Sequence, residues 1–237
     1  MNIILSGYGT MNQLVAQVAQ DQDHTIVGVV APNQQDDYPS LDSFNQAPAD
    51  VIIDFSHPDH LLPLLEEDLQ VPIVVATTGE KDKIQSALHQ QADHVPVFFE
   101  ANMSYGIHAL SQILEKALSL LQDYDVELLE AHHNQKVDAP SGTLVKLLDL
   151  VSEARPDAYP NYDRHEASGK RDPNEIGIHT LRGGSIVGDH EVLFAGPDES
   201  IKISHQAGSK AIFARGALRA GAKLIDKEPG YYNFDNL

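Results

Sequence analysis

The segment from Glu130 to Thr143 carries a dense set of chemically active side chains. It reads Glu130-Ala-His-His-Asn-Gln-Lys-Val-Asp-Ala-Pro-Ser-Gly-Thr143 and precedes an apolar run typical of a helix. Two imidazoles and an ammonium, at His132, His133 and Lys136, therefore lie just before a helix start. The first amides and the positive dipole end of a helix bind anions, and Lys and His donate protons. The segment predicts a pocket for a small acid that is protonated during a reaction.

Parts of this segment can also have simpler roles. Ser141 or Thr143 can cap a helix, a role worth about 1 kcal/mol that uses the same geometry as anion binding. The adjacent histidines can form a surface pair or a metal site, but without cysteine a metal would need His and carboxylate ligands. We predict no metal site. Among the other histidines, we expect only His205 near the pocket.

Composition limits the class of protein. The length of 237 residues, with 42% hydrophobic side chains, predicts one or two globular domains. A net charge of −19 argues against nucleic-acid binding, which depends on clustered Lys and Arg. The lack of cysteine excludes disulfides, thiolate zinc sites and catalytic thiols. No apolar run approaches about 18 residues and no basic leader is present, so we expect a cytoplasmic protein without membrane contact.

The N-terminal part alternates apolar strands with amphipathic helices. Strands are predicted at 2–6, 25–30, 50–56, 72–79 and 95–103, which favours an open, parallel, Rossmann-like sheet. Ligands of such sheets bind beyond the carboxyl ends of the strands. Each residue at those ends is individually an ordinary turn residue, but their shared position predicts a cofactor edge. These residues are Phe55, Thr77, Thr78, Gly79, Ala101 and Asn102.

A glycine turn follows the first strand. Gly7-Tyr8-Gly9-Thr10-Met11 can bring the backbone close to a pyrophosphate at a helix start, although a plain strand-to-helix turn also fits. Asn12 and Gln13 stand where a third glycine is expected. After strand 25–30 comes Ala31-Pro32-Asn33, so neither the acid typical of NAD sites nor the arginine typical of NADP sites is in its usual place. Asp36 and Asp37 follow, and the choice between NADH and NADPH stays open.

The C-terminal part has a different order of elements. Helices are predicted at 107–121, 144–153 and 211–225, a long surface loop at 159–174, and strands at 125–130, 177–182, 185–194 and 200–205. Consecutive strands joined by short turns favour a smaller α+β domain with an antiparallel or mixed sheet.

Five segments together resemble one known family. The segment Glu130 to Thr143 is similar to the signature of the 4-hydroxy-tetrahydrodipicolinate (dihydrodipicolinate) reductases of the diaminopimelate route to lysine. Four more segments resemble this family in the same order, so the likeness covers essentially the whole chain. They are Asp54-Phe-Ser56, Ala76-Thr-Thr-Gly79, Ala101-Asn-Met-Ser104 and Arg182-Gly-Gly-Ser-Ile-Val-Gly-Asp-His190.

The resemblance implies an organisation and a set of residue roles. It implies a dinucleotide-binding domain at 1–103, to which the closing helix at 211–237 returns, and a substrate-binding and tetramerisation domain at 104–210. His132 and Lys136 match catalytic residues, His133 a substrate contact, and Gly142 and Thr143 a carboxylate-binding pair. The implied contacts of NADH or NADPH are Gly7, Tyr8, Gly9, Thr10, Met11, Phe55, Ala76, Thr77, Thr78, Ala101, Asn102 and Met103. The chain departs from longer members at Thr10, where they carry a basic residue, and at Pro32, where they carry an acid.

The implied reaction is hydride transfer to a cyclic dicarboxylate imine. Lys136 and His132 are the candidate proton donors; we favour Lys136 assisted by His132, and sequence leaves open which one acts directly. Two other functions stay open on sequence. A reductase for a semialdehyde or hydroxy acid is one, although thioester-forming semialdehyde oxidation needs a cysteine. A nucleotide-sensing module that has lost catalysis is the other, although Lys136 and His132 are present.

Overall fold

The computed structural model describes residues 1–31, 33, 36–166 and 169–237. They divide into two compact units. Unit 1 comprises Met1–Tyr105 and Lys210–Leu237, and unit 2 comprises Gly106–Ser209. No helix in the described ranges combines the length and apolarity needed to cross a membrane.

Unit 1 contains a parallel sheet with helices on both faces. Its elements are β1 (Asn2–Ser6), α1 (Thr10–Gln20), β2 (Thr25–Val30), β3 (Ser40–Leu41), β4 (Val51–Asp54), α2 (Pro58–Leu64), β5 (Ile73–Val75), α3 (Lys81–Gln91), β6 (Pro96–Phe99), and later in the chain α6 (Ala211–Leu224) and β12 (Gly230–Tyr232). The strand order is β12-β6-β5-β4-β1-β2-β3, and the pairs are parallel. The predicted Rossmann-like sheet is confirmed.

Burial on both faces explains why these strands are almost wholly apolar. Ile3 and Leu5 belong to a buried cluster with side chains of α1 and α6. Ile4, between them in sequence, points to the opposite face and packs in a second cluster with α2 and α3. The N-terminal strands are therefore held from both sides, which fixes the position of the loops at their ends.

The carboxyl ends of these strands meet at one edge of the sheet. β4, β5 and β6 end earlier than predicted, so Phe55, Thr77 and Ala101 lie in the loops beyond them. The strand order reverses between β1 and β4, the position where open α/β sheets bind their ligands. Because the cofactor contacts were predicted here, we call this edge the nucleotide edge, defined by Gly7–Met11, Phe55, 76–78 and 101–103.

Unit 2 contains a second sheet and two helices. Its elements are α4 (Tyr105–Leu120), which begins at the last residue of the first part of unit 1, then β7 (Asp125–His132), α5 (Gly142–Ala154), β8 (Tyr159–Asn161), β9 (Glu175–Arg182), β10 (Asp189–Gly196) and β11 (Glu199–Gln206). The strand order is β11-β10-β7-β9-β8. β7 runs parallel to β9 and antiparallel to β10, so the predicted mixed sheet is confirmed.

Two expectations about unit 2 are wrong. The range 159–174, predicted as loop, contains β8, a short edge strand parallel to β9 in which Pro160 is tolerated. The strand predicted at 185–194 begins only at Asp189, because the preceding glycine-rich residues form a turn. In β7 burial alternates strictly, with Val126 and Leu128 packed against α4 and α5 and Leu129 and Ala131 on the other face.

Candidate active site

The segment predicted to bind an acid runs from the end of β7 to the start of α5. Ser141 is the N-cap of α5, and its Oγ accepts a hydrogen bond from the Leu144 amide at 3.2 Å. The helix begins at Gly142, so the amides of Gly142 and Thr143 belong to the helix end that attracts anions. The two roles considered from sequence, helix capping and anion binding at the helix start, therefore use the same turn.

Glu130 connects this turn to the neighbouring strand. Its side chain is buried, with the residue only 1% exposed. Oε1 accepts hydrogen bonds from the Ser141 amide at 3.0 Å and from Arg182 Nη2 at 2.8 Å. Burial alone would raise the pKa of Glu130, but the Ser141 and Arg182 hydrogen bonds outweigh it and the pKa is lowered. Glu130 is therefore a buried carboxylate anchored by donors from two elements.

The imidazole of His132 lies next to the other oxygen of Glu130. Nδ1 of His132 is 3.1 Å from Glu130 Oε2, but the groups are not aligned for a hydrogen bond. His132 is 8% exposed, and burial lowers its pKa, while the charge of Glu130 opposes that shift. A Cβ on Gly188, which is buried, would lie 3.1 Å from Nε2 of His132, so a glycine at this position leaves room for the ring.

Lys136 extends the donor set along the same turn. Its Nζ forms an ion pair with Asp138 Oδ1 at 2.8 Å, and its amide donates to the His133 carbonyl at 3.2 Å. The Lys136 hydrogen bond lowers the pKa of Asp138. Arg182 Nη2 also donates to the Asp138 carbonyl. Arg182 thus links the Lys136 turn to Glu130, while His133 is half-buried in the same turn.

His190 was expected to lie away from the pocket, and that expectation is wrong. The antiparallel register pairs His190 with Glu130, and the rings of His190 and His132 are 5.2 Å apart. His190 Nε2 lies 3.2 Å from Ser141 Oγ. Burial, followed by the charge of His132, lowers the pKa of His190 to about 4. The ring is therefore neutral at pH 7 and able to accept the Ser141 hydroxyl proton in a hydrogen bond.

His205, the histidine that was expected near the pocket, faces His190 across β10 and β11. Glu130, His190 and His205 all line a cavity of about 310 Å³. Within the described residues, Glu130, His132 and His190 also form a group whose possible metal-ligating atoms lie within 4.8 Å of one another. The sequence analysis assigned no role to Glu130, Arg182 or His190. Arg182 and His190 are nevertheless the first and last residues of one of the segments that resemble the family.

The glycine turn of unit 1 is held in place by close packing on Ser56 and by hydrogen bonds from Asn12. Gly7 has φ +78°, and a Cβ there would lie 2.8 Å from the Ser56 Cβ. Asn12, which replaces the expected third glycine, is buried and donates to the carbonyls of Ser6 and Gly7 at 2.6 and 2.8 Å. Gly9 is the N-cap of α1 and Thr10 its first residue, with no side chain capping the helix start. The turn is suited to a pyrophosphate at this helix end.

A buried carboxyl group lies under the nucleotide edge. Asp54, at the end of β4, accepts from Ser56 Oγ and from Thr77 Oγ1, each at 2.5 Å. Burial raises its pKa, against the opposing effect of the hydrogen bonds from Ser56 and Thr77. These bonds fix the backbone on either side of Phe55 and between Ala76 and Thr78. Those loops are thereby held in place.

The remaining nucleotide-edge residues follow β6 and meet α6. Asn102 Oδ1 accepts from the Ser104 amide at 2.9 Å, while Ala101 is exposed and Met103 is buried. The carbonyl of Met103 lies directly against Gly216 of α6. All the residues predicted to bind the cofactor thus follow the carboxyl ends of β1, β4, β5 and β6 in unit 1. The predicted acid-binding residues belong to unit 2.

A cavity of about 640 Å³ opens along the first part of this edge. Its lining includes Gly7, Tyr8, Gly9, Asp36 and Asp37. Tyr8 donates to Asp37 Oδ2 at 2.9 Å, and burial together with Asp37 raises the pKa of Tyr8 to about 12. Pro32, noted as a departure from the family, lies outside the described residues.

Comparison with known proteins covers both units. The family model "Dihydrodipicolinate reductase, N-terminus" matches residues 1–103, and "Dihydrodipicolinate reductase, C-terminus" matches residues 106–237. The structure is similar to "Dipicolinate bound Dihydrodipicolinate reductase from Paenisporosarcina sp. TG-14", with a TM-score of 0.77 over 98% of this chain and 97% of that chain. At 20% identity this likeness shows the fold alone.

Sequence relatives are much more similar. A protein from Staphylococcus saprophyticus is 58% identical over 100% of both chains, and one from Staphylococcus carnosus is 56% identical over 100% of this chain and 99% of its own. Both are named 4-hydroxy-tetrahydrodipicolinate reductase. The chain therefore belongs to the dihydrodipicolinate reductase family.

Proposed function

We propose that this oxidoreductase reduces 4-hydroxy-tetrahydrodipicolinate to tetrahydrodipicolinate with a nicotinamide dinucleotide, in the diaminopimelate route to lysine. The observation that carries the proposal is that one segment places Lys136 and His132 beside the start of α5. Glu130 contacts both His132 and the Ser141 amide, and Lys136 is held by Asp138 in the same segment. The turn combines proton donors with a helix end suited to a carboxylate. The names of the relatives support the same substrate.

The nucleotide edge fits the cofactor. The Gly7 turn has a positive φ that glycine adopts freely and allows close backbone approach, and the start of α1 offers amides for the pyrophosphate. The loops at Phe55, 76–78 and 101–103 are the proposed contacts of the remainder of the dinucleotide. When bound, the dihydronicotinamide supplies the hydride. Such a reductase works where reduced nicotinamide is maintained, and we place it in the cytoplasm.

Substrate binding is assigned to the start of α5. The amides of Gly142 and Thr143, with the Thr143 hydroxyl, hold one carboxylate of the substrate, and His133 contacts it from the preceding turn. The substrate loses its hydroxyl and a proton of the neighbouring ring carbon as water, and the resulting conjugated ring accepts hydride at carbon. Electron density moves to the ring nitrogen, which must be protonated or stabilised. Lys136 Nζ donates the proton, and His132 assists by stabilising the developing charge.

The test is oxidation of NADH and NADPH with freshly generated 4-hydroxy-tetrahydrodipicolinate, with circular dichroism to verify folding. Turnover with at least one cofactor is expected. Folded protein that binds a dinucleotide without turnover would contradict the proposal and favour a nucleotide-sensing module. Turnover only with a semialdehyde or hydroxy acid would favour the other reductase.

NADH is the proposed preferred cofactor. Asp36 and Asp37 line the cavity beside the glycine turn, and Tyr8 holds Asp37 there. Within the described residues, the lining of this cavity includes no lysine or arginine. Carboxylates accept hydrogen bonds from ribose hydroxyls, whereas they repel the 2′-phosphate of NADPH.

We expect kcat/KM to be at least about 10-fold higher for NADH, a difference of about 1.4 kcal/mol. Asp37→Asn should narrow this ratio by improving NADPH use, because it removes the like charge. Asp42→Asn, at another exposed loop position, is the control and should leave the ratio unchanged. An NADPH preference in the unmodified protein would refute the assignment.

A homotetramer is proposed from the uncovered face of the unit 2 sheet. Leu129 and Ala131 of β7, Leu181 of β9 and Leu193 of β10 share this face with the carboxylates of Glu127, Asp189 and Glu191, and Leu181 is 60% exposed. Exposed large apolar side chains on a sheet face, surrounded by charged groups, are typical of an interface. Light scattering should give four times the chain mass, and Leu181→Asp should reduce it. Ile113→Asp, on exposed α4 surface, is the control; a monomeric unmodified protein would contradict the proposal.

A further inference from the structure

Glu130 is placed where three strands and one helix start converge. It lies on β7, opposite Thr180 of β9 and His190 of β10. Its two oxygens are close to different parts of the site. Oε1 accepts from the Ser141 amide and from Arg182, and Oε2 lies 3.1 Å from His132 Nδ1 and 3.8 Å from His190 Nε2.

A chain of contacts connects Glu130 with the proposed proton donor. Arg182 Nη2 donates both to Glu130 Oε1 and to the carbonyl of Asp138. The carboxylate of Asp138 in turn pairs with Lys136 Nζ. Movement of Glu130 would therefore disturb Lys136 through Arg182, as well as His132 and the start of α5 directly.

We propose that Glu130 is a positioning residue that fixes the two proton-donating side chains relative to the carboxylate-binding start of α5. The inference rests on the proposed function for what those groups do, but the contacts themselves belong to this structure. The side chain of Glu130 is fully buried, so it acts through these groups and not on the substrate itself. It sets the distance between the group that holds the acid and the groups that protonate it.

The negative charge, and not only the size, of the side chain matters at this position. The charged and titratable groups around it are Arg182 from β9, His132 on β7, His190 on β10, and Lys136 with Asp138 in the turn, while His205 on β11 acts on His190. Glutamine could still accept from Ser141 and Arg182 through its one oxygen. Its NH₂ group would then face His132 Nδ1, reversing the polarity seen by the imidazole.

Glu130→Gln tests this role. A displacement of about 1 Å in a reacting group can cost about 10²-fold in rate, so we expect kcat to fall about 10–100-fold. NADH affinity should be unchanged, because the nucleotide edge belongs to unit 1. In NMR titrations the C2 proton of His132 should titrate at lower pH than in the unmodified protein, because the Glu130 charge opposes the effect of burial on its pKa. A buried carboxylate that does not act on His132, such as Glu175, would not produce that shift.

Glu175→Gln is the matched control. Glu175 is also buried, lies on β9 of the same sheet, and accepts two hydrogen bonds from Arg164. It should lose stability without a change in kcat or in the His132 titration. Glu130→Asp keeps the charge and should retain the His132 titration and recover part of kcat. Unmodified kcat and an unshifted His132 in Glu130→Gln, or an equal loss in Glu175→Gln, would overturn the proposal.

Two further measurements distinguish the positioning role from metal binding and from loss of the reaction itself. If EDTA abolishes turnover and Zn²⁺ restores it, Glu130, His132 and His190 are metal ligands and the positioning role is refuted; activity unaffected by EDTA supports it. The His132 titration is measured without turnover. A failure of the proposed reaction is therefore distinguishable from a failure of the Glu130 assignment.

Discussion

Replacing Lys136 with alanine should lower kcat by about 10²–10⁴-fold, the range that a positioned general acid contributes. Lys136 is partly buried in the turn between β7 and α5 and is held by Asp138 at 2.8 Å. The variant removes the only ammonium in the segment from Glu130 to Thr143. NADH affinity, measured by fluorescence titration, should stay unchanged because Lys136 is in unit 2.

Two companion variants separate charge from proton donation. Lys136→Arg keeps a cation beside Asp138, but a guanidinium does not release its proton near neutral pH, so kcat should remain low. Lys146→Ala removes an exposed lysine of α5 and should leave kcat unchanged. Wild-type turnover in Lys136→Ala, or an equal loss in Lys146→Ala, would refute the role of Lys136 as proton donor.

Replacing Gly216 with alanine should destabilise the protein by about 2–3 kcal/mol although alanine favours helices. A Cβ at this position of α6 would overlap the carbonyl oxygen of Met103, a backbone atom that cannot rotate away. The expected fall in Tm is about 4–12 °C for a chain of this size. NADH affinity should fall as well, because the segment 101–103 belongs to the nucleotide edge.

Gly221→Ala is a control within the same helix. Gly221 is also buried in α6, but a Cβ there would meet the Val51 methyl groups at 3.5 Å, an ordinary van der Waals distance. Its expected effect is a gain of about 0.5–1 kcal/mol from helix propensity. If both variants lower Tm equally, close packing on Met103 is not the cause.

Local pattern was sufficient for most of the fold. β1 and β2 coincide with apolar runs that have polar or glycine boundaries, so their predicted limits agree with the structure. β3 and β12 were not predicted, because strands of two and three residues show no periodicity. β12 exists through its parallel pairing with β6, a contact between distant parts of the sequence. Such pairing is set by tertiary packing and not by local propensity.

The residues of the candidate site also fall into two groups, those in one continuous segment and those brought in by strand pairing. Lys136, His132, Gly142 and Thr143 lie in one continuous segment, so their types and spacing indicated a common pocket. His190 meets Glu130 only through the register of β10 on β7, which a one-residue slip would reverse. Arg182 reaches Glu130 from β9 for the same reason. Residues contributed by strand register were therefore beyond local sequence reasoning.

Unit 1 is built from two separate stretches of the chain, and this affects how it folds during synthesis on the ribosome. Its apolar cluster under α1 requires Ala214, Ala217 and Leu224 of α6, and its sheet is extended by β12. These residues emerge after the whole of unit 2, about 100 residues later, or about 5–20 s at ordinary elongation rates. Unit 2 is continuous and can close first. Until α6 is synthesised, the sheet face that α6 covers in the folded protein stays exposed in the nascent chain. Chaperones can bind the N-terminal strands during this period.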